Sequence, residues 1–145
     1  MENNRIEIDI KVPNQTRYLS LIGKIGEDLA KGLDEYAGNR NTLAYYINLV
    51  LTESVINTIT HANARDPDKM VHLSINIEHD ELVIRVFDEG EGFDLDEVPL
   101  PDFEGLSEKG RGVFLIRSIM DSVNYRRVDS GNVLEMRKSL IKSKG

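Results

Sequence analysis

Between Ile6 and Val12 every second side chain is apolar (Ile6, Ile8, Ile10, Val12), with Glu7, Asp9 and Lys11 between them. A period of two predicts a half-buried strand, and Pro13, which lacks a backbone donor, ends it. From Thr16 the spacing changes: Leu19, Ile22, Ile25, Leu29, Leu33 and Tyr36 recur every three or four positions, predicting an amphipathic helix with Gly38 as its stop. Residues 42–64 predict a second helix, apolar nearly all round (Leu43, Ile47, Val50, Leu51, Val55, Ile56, Ile59) and therefore buried in the middle of the structure. Pro67 lies beyond its end. Val71, Leu73, Ile75 and Ile77 alternate with polar residues, and after a short polar turn Leu82, Ile84, Val86 and Phe87 complete a β-hairpin. Residues 88–111 carry glycine, proline and acid without a sustained period, which suits a functional loop better than a linker. A third helix follows from Gly112 (Val113, Leu115, Ile116, Ile119, Met120), then two closing strands around residues 123–125 and 133–136.

The order strand, helix, helix, two strands, helix, two strands predicts an α+β fold: a two-layer α/β sandwich, with helices on one face of a mostly antiparallel sheet. At 145 residues the chain fits one domain, 1–145, able to bury a core without staples. Its 18 basic and 25 acidic residues give a net charge of −7, which repels a phosphate backbone, so direct nucleic-acid binding is not expected. The absence of cysteine excludes disulfides, thiolate zinc sites and a cysteine nucleophile. The opening residues lack the apolar run of a signal peptide or membrane span, so a cytoplasmic location is expected.

Three segments carry candidate chemistry. Glu53, Asn57 and His61 are spaced by four, so on an α-helix they span only about 80° and share one face. Ionisable groups on a buried helix are costly unless they line a wet pocket. The Asn57 oxygen suits Mg²⁺, and Glu53 one turn away suits a general base. The same spacing also describes the exposed side of an ordinary amphipathic helix, with His61 near the negative end of its dipole. Next, Asp88-Glu89-Gly90-Glu91-Gly92-Phe93-Asp94 places a carboxylate at a strand end, followed by two glycines. Glycine lets backbone approach a flat ligand, and Asp88 can accept a hydrogen bond from an exocyclic amine such as that of adenine. An acidic surface turn gives the same composition, whereas the acid positions do not match a calcium loop. Finally, Gly110-Arg111-Gly112 runs into a helix beginning near Val113, where free amides and the dipole attract anions and Lys109 and Arg111 add positive charge. An ordinary helix start reads alike; neither a dinucleotide fingerprint nor a P-loop is present.

Taken in order, Glu53-x-x-x-Asn57-x-x-x-His61, Asp88-x-Gly90-x-Gly92-Phe93-Asp94 and Gly110-x-Gly112-Val113-Phe114-Leu115-Ile116 resemble the three conserved boxes of the ATPase superfamily containing gyrase, histidine kinases and mismatch-repair ATPases. More narrowly, the chain resembles the anti-sigma-factor serine kinases of bacteria, over about residues 5 to 140. This resemblance implies the same sandwich fold, with ATP and Mg²⁺ as cofactors. It implies that Asn57 binds Mg²⁺, Asp88 receives the adenine amine, and Gly90, Gly92, Gly110 and Gly112 shape the base and phosphate contacts. Glu53 becomes the base that deprotonates a serine on a partner protein, and residues 95–109 become a lid. Where many relatives carry Thr after glycine in the last strand, this chain has Gly131-Asn132, and Asn132 can still donate and accept.

Two functions follow. One is a partner-switching kinase and anti-sigma factor that phosphorylates an anti-anti-sigma protein; the other is an ATP-gated module that sequesters a partner without transfer. Both imply a sigma factor as partner, a homodimer, and no membrane. A histidine autokinase fits less well, because His61 lies on the nucleotide-binding helix itself.

Overall fold

The computed structural model describes residues 5–33, 36, 38–90 and 111–141. Its elements are β1 (Ile6–Pro13), a 3₁₀ turn (Thr16–Tyr18), α1 (Leu19–Lys31), α2 (Arg40–Asn57) continued by a π-helical turn (Thr58–Ala62), β2 (Met70–Glu78), β3 (Glu81–Asp88), α3 (Arg111–Ile119), β4 (Ser122–Val128) and β5 (Gly131–Ser139). The order matches the hydrophobic pattern. Among the described residues no helix is long and apolar enough to cross a membrane.

The strands form one five-stranded sheet in the order β1-β2-β3-β5-β4, with every neighbouring pair antiparallel. Register aligns the apolar positions across it: Ile8 faces Ile75, Ile75 faces Ile84, Ile84 faces Met136 and Met136 faces Val123. Side chains alternate between sheet faces, so this row and its neighbours two residues away point to one side. There they meet Ile22, Leu43, Ile47, Leu51, Val55 and Ile116 of the three helices in one core. Pro13 takes the last ladder position of β1 rather than ending the strand before it, which an edge strand tolerates.

The first helix stops at Gly32, whose amide donates back to the carbonyls of Asp28 and Leu29, not at Gly38. Leu33 and Tyr36 still pack on the core beyond the helix, so the apolar period outlasts the helical backbone. α2 starts at Asn39, whose side chain accepts from the amides of Asn41 and Thr42 at 2.9 and 3.1 Å. It lies between α1 and α3. Its burial is one-sided, since Tyr45 and Tyr46 are exposed.

The sheet face away from the helices holds a charged network. Glu135, itself buried, accepts from Arg85 Nε at 2.7 Å and from Arg137 Nε at 3.1 Å, and Arg137 also bonds Glu81 at 2.7 Å. Burial works against the Glu135 charge, but the hydrogen bonds from Arg85 and Arg137 outweigh it and hold the carboxyl below its ordinary value.

Candidate nucleotide-binding site

Four segments meet at one end of the sandwich: the last turns of α2, the end of β3, the start of α3 and the start of β5. Glu53 and Asn57 lie one turn apart and half-buried on α2. Against them sits Gly112, in the first turn of α3. A Cβ there would lie 2.6 Å from Glu53 Oε2 and 3.4 Å from Asn57 Nδ2. A larger residue there would push the Glu53 carboxylate aside, so glycine leaves that carboxylate free to sit against the amino end of α3. Val113 beside it is buried and anchors that end of the helix. Among the described residues Asn57 Nδ2 is buried without a hydrogen-bond partner. Native interiors rarely leave such a donor unpaired unless a ligand completes it.

Directly after Asn57 the backbone passes into the π turn, closed by Asn63 N donating to Thr58 O at 2.8 Å. π turns underwind the helix and recur at functional sites. The α-helical spacing therefore keeps Glu53 and Asn57 in line but not His61, which is exposed on the π turn. Ala64 and Arg65 follow with φ of 49° and 57°, left-handed values that a non-glycine residue adopts only where neighbours hold it.

Arg65 N donates to the Ile59 carbonyl at 2.8 Å, and Asn63 just before ties the turn to its surroundings. Asn63 is fully buried, donates to Asn14 Oδ1 and to the Met70 carbonyl at 3.1 Å each, and accepts from Glu89 N at 2.9 Å. One side chain thus joins the end of α2, the start of β2 and the turn after β3. Gly90, on that turn, lies so close to the Ala62 carbonyl oxygen that any Cβ would overlap it.

Asp88 ends β3 with 5% of its surface exposed. Its Oδ1 accepts from Gly90 N and from Asn132 Nδ2, both at 3.0 Å. Its Oδ2 accepts from the Tyr125 hydroxyl at 2.6 Å. Asn132 faces Asp88 in the β3–β5 register and also donates to the Gly90 carbonyl at 3.2 Å. Gly131 before it abuts the Asp88 carbonyl and has no room for a side chain. The carboxylate is thus desolvated but compensated, fixed in orientation by three donors.

The structure therefore brings Glu53, Asn57, Asp88, Gly90, Gly112, Val113 and Asn132 to one end of the molecule and leaves His61 exposed at its margin. Gly92, Lys109, Gly110, the side chain of Arg111 and the lid segment 95–109 lie outside the described residues. Asn14, Asn63 and Tyr125 were missed from sequence. Tyr125 carried one signal, its inward parity with Val123, but the pairing that brings it to Asp88 spans 37 residues.

These residues fit a magnesium nucleotide. The orphaned Asn57 amide and the side-chain-free Gly112 form a cradle at a helix N-terminus, where free amides favour phosphate. Among the described residues no group of three His, Cys, Asp or Glu could hold a metal alone. Mg²⁺ held through one oxygen ligand and substrate phosphates needs no such group.

A family model described as a histidine kinase-like ATPase domain matches residues 13–138. The chain is 28% identical over 148 residues to the serine-protein kinase RsbW of Bacillus subtilis, covering 97% of this chain and 89% of that protein. It is 34% identical to the anti-sigma F factor of Anoxybacillus flavithermus, over 68% of this chain and 70% of that protein. Among solved structures, the histidine kinase domain of the Erythrobacter litoralis EL346 blue-light activated histidine kinase superposes with a TM-score of 0.53 at 21% identity. That likeness covers 89% of this chain and 62% of the kinase domain, and it speaks for the fold. With the fold, the glycine contacts and the matched span in agreement, the chain belongs to the family of histidine kinase-like ATPase domains.

Proposed function

We propose that this protein is an ATP-dependent serine protein kinase and anti-sigma factor, which switches between a sigma factor and an anti-anti-sigma protein that it phosphorylates. The observation that carries the reading is the Glu53 carboxylate beside Gly112 at the amino end of α3, one turn from the unpartnered Asn57 amide. On this reading Glu53 would act as a base beside a helix N-terminus that would receive phosphate. The similarity to a protein named as a serine-protein kinase and to one named as an anti-sigma F factor supports the same reading.

Bound Mg²⁺ and ATP would supply the phosphoryl group and neutralise the charge that develops on it. Asn57 would hold the metal through its side-chain oxygen. Asp88 would accept from the adenine amine, with Asn132 beside it, while Gly90 and Gly112 let the backbone close on base and phosphates. Gly92, Lys109, Gly110, Arg111 and Val113 belong to the same proposed contacts, and His61 would reach them from the rim. Glu53 would take the proton of an incoming serine hydroxyl as that oxygen bonds to the γ-phosphorus and the bond to the bridging oxygen breaks, so that ADP leaves and the proton passes from the carboxylate to solvent. Leu21, Tyr45, Tyr46 and Phe114 are exposed apolar side chains on the helices, of the kind that protein interfaces bury. A homodimer in the cytoplasm completes the reading.

Incubating the protein with ATP, Mg²⁺ and its anti-anti-sigma partner should place phosphate on a serine of that partner. Glu53→Ala should reduce transfer by about 10²-fold or more, the range of a general base, and leave ATP affinity within about threefold of wild type. Transfer that survives in Glu53→Ala would remove the assigned base, and ATP-dependent partner binding without any transfer would leave a nucleotide-gated module.

A further inference from the structure

The hydrogen bond from Tyr125 to Asp88 has no part in the nucleotide contacts assigned so far. Tyr125 lies on β4, an edge strand of the sheet, and is half-buried. Its hydroxyl reaches across β5 to donate to Asp88 Oδ2 at 2.6 Å.

A carboxylate offers about four acceptor positions. Gly90 N and Asn132 Nδ2 occupy both of those on Oδ1, and Tyr125 occupies one on Oδ2. Among the described residues this leaves a single acceptor position, on the oxygen that Tyr125 holds. The Asn132 orientation follows from the same pattern, since the atom facing Asp88 Oδ1 and Gly90 O must be its donor nitrogen.

Resting on the nucleotide-binding reading above, we propose that Tyr125 is the positioning residue for base selection: its hydroxyl fixes Asp88 Oδ2 as a one-position acceptor that admits an amino group and rejects a keto oxygen at the same place on the purine. A 6-amino purine can donate to that position. A 6-oxo purine sets lone pair against lone pair, and a purine with hydrogen at that carbon offers no donor. Without the hydroxyl, Asp88 loses the donor that orients Oδ2 while keeping both bonds to Oδ1, so the carboxylate remains in place but its free position is no longer fixed.

The test is a set of equilibrium titrations of the full chain with ATP, ITP and purine riboside triphosphate in Mg²⁺, using wild type and Tyr125→Phe. Wild type should prefer ATP. Tyr125→Phe should weaken ATP about tenfold, within the worth of a hydrogen bond to a charged group, while purine riboside triphosphate, which makes no use of Asp88 Oδ2, stays within about twofold. The ATP preference over both analogues should shrink accordingly. If Tyr125→Phe weakens all three nucleotides alike, or none, the selection role is wrong and Tyr125 is a packing residue. If wild type takes up none of them, the nucleotide reading itself fails and this inference falls with it. Tyr125→Leu, which keeps an apolar side chain without a donor, gives the same readout if the phenylalanine variant does not fold.

Discussion

At the scale of single residues, the site and the opposite sheet face solve the same problem differently. Asp88 is a buried carboxylate satisfied by neutral donors: a backbone amide, a carboxamide and a phenol. That leaves it able to serve a ligand. Glu135 is a buried carboxylate satisfied by the guanidinium groups of Arg85 and Arg137, with Arg126 3.7 Å away. That ties it into the sheet. Because Glu135 is held below its ordinary value of 4.5 in the folded chain, it contributes stability that is complete above that value and disappears as pH falls through the lowered one. Glu135→Gln should therefore cost about 1–3 kcal/mol near neutral pH, as an arginine cluster losing its counter-charge does. The loss relative to wild type should shrink between about pH 5 and pH 3. Urea unfolding across that range checks it; a gap that stays constant or widens on acidification would show that Glu135 does not carry this stability.

At the scale of elements, the periodic ones were legible and the corners were not. β1 to β3 and the three described helices follow from alternation or three-to-four spacing, because burial against one core imposes those periods, whereas β4 and β5 were legible only as short segments around 123–125 and 133–136, β5 being buried along most of its length rather than alternating. The π turn does not show in the pattern. Its distinguishing bond is one residue longer than an α-helical one, and the apolar spacing of Val55 and Ile59 reads the same either way. The hairpin turn at His79 and Asp80 was readable only as polar. Both residues adopt positive φ, 54° and 61°, where sequences more commonly signal the turn with Asn-Gly. The Asn63 junction was unreadable for a third reason: a lone asparagine after a helix resembles any C-terminal residue until the fold brings Asn14, Met70 and Glu89 around it. Asn63→Ala should lower stability by about 2–4 kcal/mol, since it orphans buried groups on three segments at once. It should weaken ATP in parallel by loosening the Gly90 turn. Chemical denaturation and nucleotide titration read the two effects, and an unchanged affinity would confine Asn63 to the core.

At the scale of the whole molecule, an antiparallel sheet backed by three helices gathers its functional groups where chain ends of several elements meet. The sequence order placed Glu53, Asn57, Asp88 and Gly112 far apart, and the resemblance to known ATPases said they belong together. The fold supplies the physical reason, through the register that sets Asn132 opposite Asp88 and the glycine that lets α3 touch α2. The most direct measurement is titration calorimetry of the full chain with ATP and Mg²⁺, beside Asn57→Ala. Saturable uptake by wild type, weakened at least about tenfold by loss of the side chain proposed to hold Mg²⁺, is the predicted result. No heat of binding in wild type, or equal affinity in Asn57→Ala, would contradict it.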